Sequence, residues 1–233
     1  ITPYAGLIYD INEIHSIYTS YTDIFKPQTH KDKNDQYLDP IIGKNYELGI
    51  KSEFFDTRLN SSVSIFRVVQ DGVAEKDEGV VILDTINQAY KAAKGVESKG
   101  VELEVDGEIT DDLSLSLGIA SYEAKDANGN KYNTTASRTT ANLFAKYRLN
   151  KDLSIGGGIN YKSKIYTGKG FDKIEQGSYI VTNVMSSYNI NKDLKIQLNI
   201  NNLFDKKYYD GIDSNRMIYG EPRNFTLGMR YTF

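Results

Sequence analysis

The amino-acid sequence predicts an all-β chain, an antiparallel transmembrane β-barrel wall of about eleven strands. Three observations carry this. Apolar and polar residues alternate strictly along many segments; a short Asn/Asp turn recurs about every 40 residues; and 233 residues include 18 Tyr and 9 Phe but only 4 Pro and no Trp. A period of two is strand geometry, because successive side chains point to opposite faces, whereas a helix scatters the same residues around its circumference. The mean hydropathy of −0.48 resembles that of a water-soluble chain. No apolar run reaches the roughly 18 residues of a membrane helix. A barrel escapes that test, because only every second residue of each strand meets lipid.

The alternation is clearest in three segments. Leu113, Leu115, Leu117 and Ile119 point one way, and Ser114, Ser116, Gly118 and Ala120 the other. Val101, Leu103, Val105 and Ile109 alternate with Glu102, Glu104, Asp106 and Glu108. Leu194, Ile196, Leu198 and Ile200 alternate with Lys195, Gln197, Asn199 and Asn201. A soluble sandwich also alternates; in lipid the apolar face turns outward and the polar face lines a wet lumen.

Each strand follows from the turn beside it. The segments Ile109-Thr110-Asp111-Asp112-Leu113, Leu149-Asn150-Lys151-Asp152-Leu153 and Ile190-Asn191-Lys192-Asp193-Leu194 are copies of one hairpin turn, and Ile11-Asn12-Glu13-Ile14 is a looser one. Strands are therefore expected near 3–11 and 15–26 around the first copy, then near 44–55 and 59–74 around Asp56-Thr57-Arg58. The other copies place 89–109 with 113–125, 139–149 with 153–166, and 178–190 with 194–209; the last strand is 224–233. The stretch 86–94 has some helical character but is too short to stand alone, and reads as loop passing into strand. Longer loops near 27–43, 75–88, 126–138, 167–177 and 210–223 lie at the opposite end. Short turns at one end and long loops at the other match the periplasmic and extracellular ends of an outer-membrane barrel.

Charge and rare residues exclude several functions. Lys+Arg is 28 against 31 Asp+Glu, a net charge of −3, with no basic excess to hold a phosphate backbone, so nucleic acid is not expected as a partner. The absence of Cys removes disulfides, thiolate metal sites and thiol nucleophiles together. His15 and His30 read as solvated residues. Asp126-Ala127-Asn128-Gly129-Asn130 begins like a calcium loop, but its Gly falls at position 4 and Ser137 stands at position 12, so a polar loop tip is expected. Gly156-Gly157-Gly158 lacks a following helix and reads as a thinned or bent wall. The row Glu102, Glu104, Asp106, Glu108 reads as lumen lining balanced by Lys51, Lys146, Lys162 and Arg230, since no nucleophile or positioned base accompanies it.

The chain ends Phe225-Thr226-Leu227-Gly228-Met229-Arg230-Tyr231-Thr232-Phe233, an apolar face closed by an aromatic. This resembles the C-terminal signature of outer-membrane barrels, which implies that Tyr231 and Phe233 act as an assembly signal. The segment Asn199 to Tyr208 resembles the N-x-x-N-L-F-D-x-x-Y box of TonB-dependent receptors, and Gly220-Glu221-Pro222-Arg223 the G-x-P-R that opens their last strand. Segments 18–28, 43–51 and Glu97-Ser98-Lys99-Gly100-Val101-Glu102 resemble the siderophore-receptor branch, in the same order. Family members usually carry Trp in such strands; here Tyr takes that place.

The resemblance implies that residues 1–233 form the C-terminal half of a 22-stranded barrel. The plug, the TonB-contacting segment and the first eleven strands then lie outside this chain. Ile1-Thr2-Pro3-Tyr4 also reads as a strand already under way, the expected look of a piece of a longer precursor. The implied function is TonB-dependent import of a ferric siderophore across the bacterial outer membrane, with no cofactor and no enzymatic activity. TonB, outer-membrane lipid and the barrel assembly machinery are the implied partners. The alternatives are a receptor of this fold for another ligand, a passive pore or an outer-membrane enzyme. An enzyme would cluster carboxylates or a Ser/His pair on its rim, and a pore would show a constriction loop and fewer of these boxes. Parity puts Tyr122 and Tyr166 on the polar face near the loop ends of their strands, and Arg216, Tyr219 and Arg223 fall in the last long loop. These five are the candidate ligand contacts. The box itself reads as structural, with Phe204 and Pro222 shaping the rim and Arg223 reaching a wall carboxylate.

Overall fold

In a computed structural model, which describes residues 2–168, 170–213 and 216–233, the repeated turns join consecutive strands into hairpins. The strands are β1 (Tyr4–Asp10), β2 (His15–Lys26), β3 (Ile41–Phe54), β4 (Leu59–Asp71), β5 (Val73–Val81), β6 (Gln88–Ala93), β7 (Val96–Glu108), β8 (Leu113–Lys125) and β9 (Thr139–Arg148). They continue with β10 (Leu153–Lys162), β11 (Ile165–Thr167), β12 (Ile174–Gln176), β13 (Tyr179–Asn189), β14 (Leu194–Asn201), β15 (Tyr209–Ile212), β16 (Met217–Tyr219) and β17 (Asn224–Tyr231). One antiparallel sheet of eleven strands runs β1-β2-β3-β4-β7-β8-β9-β10-β13-β14-β17. The other six strands form three small hairpins, β5–β6, β11–β12 and β15–β16, within the long connections.

The sequence repeat is one turn used four times. The side-chain oxygen of Asn12 accepts the N–H groups of Ile14 (2.9 Å) and His15 (2.8 Å). Asn150 does the same for Asp152 and Leu153, both at 2.9 Å, and Asn191 for Asp193 and Leu194, both at 2.9 Å. Thr110 fills the equivalent place with its hydroxyl, at 3.3 Å to Asp112 and 3.1 Å to Leu113. These residue types satisfy backbone donors that a two-stranded turn leaves open. The turn at Phe55, Asp56 and Thr57 differs: all three take left-handed backbone, with φ of 55°, 54° and 68°. Neighbouring turns are laced together, for example by Arg148 Nε to Asp112 Oδ1 at 2.8 Å and Asn189 N–H to the Asp152 carbonyl at 2.9 Å.

Four expected boundaries are corrected. The strand expected at 89–109 is two strands, because Gly95 turns the chain at φ 64° while its N–H is held by the Asp71 carboxylate at 2.6 Å. The loop expected at 75–88 is largely hairpin; the stretch with helical character becomes β6, whose Gln88 amide donates to the carbonyls of Asp77 and Val80. The strand expected at 153–166 ends at Lys162, because the Ser163 hydroxyl takes the Thr139 N–H at 2.9 Å, a group that would otherwise extend the ladder. The strand expected at 194–209 ends at Asn201, since Asn202 and Asp205 adopt φ of 49° and 50°.

Residue contacts divide the chain into two units. One comprises 1–50, 64–101 and 122–133; its buried apolar residues include Ile82, Ala89, Ala93 and Val96, around the β5–β6 hairpin. The other comprises 51–63, 102–121 and 134–233; Ile165, Tyr179, Val181 and Ile212 are buried there, near the β11–β12 and β15–β16 hairpins. Mid-strand the pattern inverts. Phe225, Leu227 and Met229 on the apolar face of β17 are 65%, 72% and 73% exposed. A continuous exposed apolar stripe of this kind is a surface for lipid.

Candidate functional site

The box segments fold into a buried hydrogen-bond knot. Asn202, only 2% exposed, donates through its amide to the carbonyls of Lys206 and Glu221, both at 2.9 Å, and accepts the Lys206 N–H at 2.8 Å. Its own N–H donates to the Asn183 side chain at 2.9 Å. Asp205 accepts the Arg223 N–H at 3.0 Å, and Asn201 donates to Asn224 at 2.9 Å. The box and the G-x-P-R segment thus interlock across β14 and β17. Gly220 makes room for a ring: a Cβ there would stand 2.1 Å from the Tyr208 ring. That ring lies over the glycine and stacks on Tyr179 with 4.3 Å between centroids.

The knot positions a polar cluster. Lys162, at the end of β10, donates to Asp210 of the β15–β16 hairpin at 2.7 Å, and the Tyr179 hydroxyl donates to the same carboxylate at 3.0 Å. The Tyr209 N–H donates to Gln176 of the β11–β12 hairpin at 2.9 Å, which ties the two hairpins together. Tyr209 and Tyr219 meet with 4.9 Å between ring centroids. Lys162, Tyr179, Tyr208, Asp210 and Tyr219, with Asn142 and Asn160 from the strands, border an open cleft of about 550 Å³.

The Lys162 ammonium, helped by the Tyr179 hydroxyl, holds the Asp210 carboxyl below its ordinary value of 3.8, against a smaller opposing effect of burial. Burial pushes the Tyr208 phenol up, so it stays neutral and donor-competent at physiological pH. A group whose folded pKa is depressed stabilises fully above its unfolded value and loses that stabilisation as pH falls through the folded one. The β15–β16 hairpin is therefore expected to stay fastened down to pH 3.8 and to loosen only below it. Side chains of Lys162 and Asp210 are 42% and 50% exposed, so the effect is local order rather than global stability. Amide exchange at residues 209–212, corrected for intrinsic rates, measures it. Asp210→Asn removes the transition, and a transition above pH 3.8 contradicts the assignment.

The five expected contacts are placed differently from one another. Tyr122 is half-buried near the loop end of β8, on the side of Ser116 and Gly118. Tyr166 does not continue the polar face of β10, which ends four residues earlier. It sits in β11, where Thr134 receives its N–H at 2.9 Å and Lys173 lies 4.9 Å above its ring. Arg216 is exposed at the tip of the β15–β16 hairpin, its carbonyl accepting the Asp213 N–H at 2.8 Å. Tyr219 borders the cleft and is 76% exposed. Arg223 belongs to the knot; its guanidinium meets the Leu203 carbonyl at 3.4 Å rather than a wall carboxylate. Tyr231 and Phe233 approach within 6.4 Å between centroids at the chain end. The Lys162–Asp210–Tyr179 cluster was not foreseen. Its members lie far apart in sequence, and the spacing of the box Tyr and the G-x-P-R Gly was the one available signal.

Other motifs resolve physically. Asp126 accepts the N–H groups of Asn128 (2.9 Å) and Asn130 (2.8 Å), a polar loop tip. Hydrogen bonding, led by the Asn130 amide, lowers its carboxyl pKa. His30 lies against the Tyr90 ring at 4.4 Å between centroids. In β10, a Cβ on Gly158 would meet the Leu143 carbonyl at 2.7 Å and the Phe144 ring at 3.0 Å, so the glycines make room for that ring. Of the bases expected to balance the acidic row, Lys162 pairs with Asp210 instead, and Glu104 and Asp106 have no ion pair among the described residues.

Comparisons with known proteins agree with this architecture. Residues 1–203 match the family model described as TonB dependent receptor-like, beta-barrel. The ferric-pyoverdine 358 receptor of Pseudomonas putida is 40% identical over 238 residues, covering 100% of this chain and 29% of that protein. Among solved structures, the ferripyoverdine receptor of the outer membrane of Pseudomonas aeruginosa, bound to ferripyoverdine, superposes with a TM-score of 0.86. It is 32% identical over 99% of this chain and 32% of its own. The siderophore receptor PiuA of Acinetobacter baumannii superposes with a TM-score of 0.78 at 27% identity, over 98% of this chain and 35% of its own. The chain spans about 30% of the length of the curated relatives it matches.

Proposed function

The chain belongs to the TonB-dependent receptor β-barrel family, and on that footing we propose that it is the C-terminal barrel wall of a receptor that imports a ferric siderophore. The protein is an outer-membrane protein. The observation that carries the reading is the loop-end cleft, whose tyrosines, amides and single ion pair suit an iron chelate. Iron in such a chelate already has its six oxygen donors. The protein therefore recognises the organic shell by stacking and hydrogen bonds and needs no metal ligand of its own. The outer membrane holds no nucleotide pool, so energy for import comes from TonB acting on a plug outside this chain. The remaining strands of a 22-stranded barrel complete the sheet, lipid covers the apolar face, and the assembly machinery reads Tyr231 and Phe233 at the chain end. Tyr122, Tyr166, Arg216, Tyr219 and Arg223 remain our candidate ligand contacts, with Tyr219 nearest the cleft.

The test is ferric-siderophore binding and iron uptake by the full-length receptor, with ferripyoverdine as first probe. Tyr166→Ala and Arg216→Ala, at normal surface abundance, are each expected to weaken binding by about 1–2 kcal/mol, roughly tenfold. Uptake, but not binding, is expected to stop when the inner-membrane proton gradient is collapsed. Uptake that persists without the gradient favours a passive pore, and two variants that bind like the parent remove this site assignment.

A further inference from the structure

The unit of residues 51–63, 102–121 and 134–233 matches some of its turn-end cations and leaves others unmatched. Arg58 pairs with Asp111, and Arg148 with Asp112. Beside the last strands the pattern changes. Lys195, the second residue of β14, has Arg230 of β17 directly opposite on one side and Asn189 of β13 on the other. Neither neighbour is an acid. Neither Lys195 nor Arg230 makes an ion pair or a side-chain hydrogen bond among the described residues. Both lie on the polar face, where the next residues up, Gln197 opposite Gly228 and Asn199 opposite Thr226, are uncharged.

Lys195 and Arg230 border a concavity of about 610 Å³ together with Lys151 and Lys192 of the adjoining turns. Two carboxylates, Asp152 and Asp193, border it as well, so these four cations outnumber the acids by two. Like charges directly opposite on one face repel, and water screens that repulsion only while the face is open. The lumen of a 22-stranded transporter is filled by a plug. Here the plug belongs to the length of receptor outside this chain, which spans about 30% of its relatives. A plug seated on this wall removes the water, and a buried cation without a counter-charge is strongly unfavourable. The covering surface must therefore bring the missing negative charge.

We infer that Lys195 and Arg230 form a clamp for a carboxylate of the plug, an Asp or Glu side chain at its periplasmic end, with Lys151 and Lys192 strengthening the local field. The carboxylate turns a repelling pair into a bridged one, each cation giving it a charge-assisted hydrogen bond. This rests on the receptor reading above, in its plugged barrel, and goes further by naming a point at which wall and plug are joined. The clamp lies at the turn end, away from the ligand cleft, so it seats the plug without touching the chelate.

The experiment uses the full-length receptor in bilayers. Carbodiimide coupling joins an amine to a carboxylate only where the two are in contact, and mass spectrometry reads the joined peptides. Lys195 is expected to be joined to an Asp or Glu of the plug, and Lys195→Gln to lose that product. Ion conductance across the bilayer reports displacement of the plug. Lys195→Gln/Arg230→Gln is expected to raise the conducting fraction roughly tenfold, the loss of one charge-assisted hydrogen bond, with a smaller rise at high salt. Lys195→Arg keeps the charge and is expected to conduct like the parent. A pair that holds nothing gives no such rise, because removing two repelling cations then steadies the wall. Coupling of Lys195 to carboxylates of the barrel wall alone, or a double variant that conducts no more than the parent, overturns the clamp and leaves the receptor reading in place. Siderophore binding is measured on the same samples. A parent whose Lys195 couples to the plug but which binds neither ferripyoverdine nor ferrioxamine B counts against the siderophore reading and spares the clamp.

Discussion

Asn202→Ala is expected to destabilise the full-length receptor by roughly 3–5 kcal/mol, a large effect for one side chain on a β-rich scaffold. The side chain is fully buried and serves three partners: the Lys206 and Glu221 carbonyls and the Lys206 N–H. Truncation leaves all three without their bond, and each buried unsatisfied group costs about 1–3 kcal/mol. Two neighbouring changes locate the cause. Phe204→Ala, in the same turn but 75% exposed, is expected to change stability by less than about 0.5 kcal/mol. Gly220→Ala forces a methyl into the Tyr208 ring and should unstack it from Tyr179, loosening the cleft while sparing the Asn202 bonds. Denaturant unfolding, followed by the change in gel mobility on heating, measures all three. Equal effects of Asn202→Ala and Phe204→Ala would mean that the knot does not hold the last two strands together.

The knot also shows which parts of this protein its sequence displays. Period-two alternation and the repeated Asn/Asp turn are local signals, and β2 and β8 fall at the expected residues, 15–26 and 113–125. Each of the four misplaced boundaries depends on a group distant in sequence or on an isolated left-handed residue. The Asp71 carboxylate holds Gly95 across 24 residues, and Ser163 interrupts the ladder by bonding Thr139, also 24 residues away. Alternation along one strand cannot register such a contact. The same limit governs the site. Tyr122 lies within the strand that parity was applied to, β8, whereas Tyr166 falls beyond the end of β10, where parity no longer carries. Lys162 and Asp210 meet across 48 residues with two hairpins, β11–β12 and β13–β14, between them, so their pairing is a property of the folded chain. The box, by contrast, was legible only through its resemblance to the family motif; the bonds within its turn and to the segment that returns beside it appear in the folded chain.

Leu227→Arg is expected to cost about 2–4 kcal/mol in a bilayer, although Leu227 is 72% exposed in this chain. In a water-soluble protein an exposed leucine changes to arginine within about 0.5 kcal/mol, so the two environments predict opposite outcomes for one substitution. Leu227 lies mid-way along β17, directly opposite Leu198 of β14, and shares its face with Phe225 and Met229. Water solvates a guanidinium there at no cost, whereas hydrocarbon makes it reach for the headgroups or draw water in. Its neighbour supplies the control. Thr226 points to the other face, opposite Asn199, so Thr226→Arg is expected to be close to neutral. Both substitutions add one positive charge to the same strand, one residue apart, so strand propensity and net charge cancel in the comparison. Unfolding free energies of the two variants of the full-length receptor in bilayers carry the test. A penalty for Leu227→Arg no larger than that for Thr226→Arg would mean that the exposed stripe of β17 does not face lipid, and the assignment of faces along β8, β9, β10, β13 and β14, which are registered to it strand by strand, would fall with it.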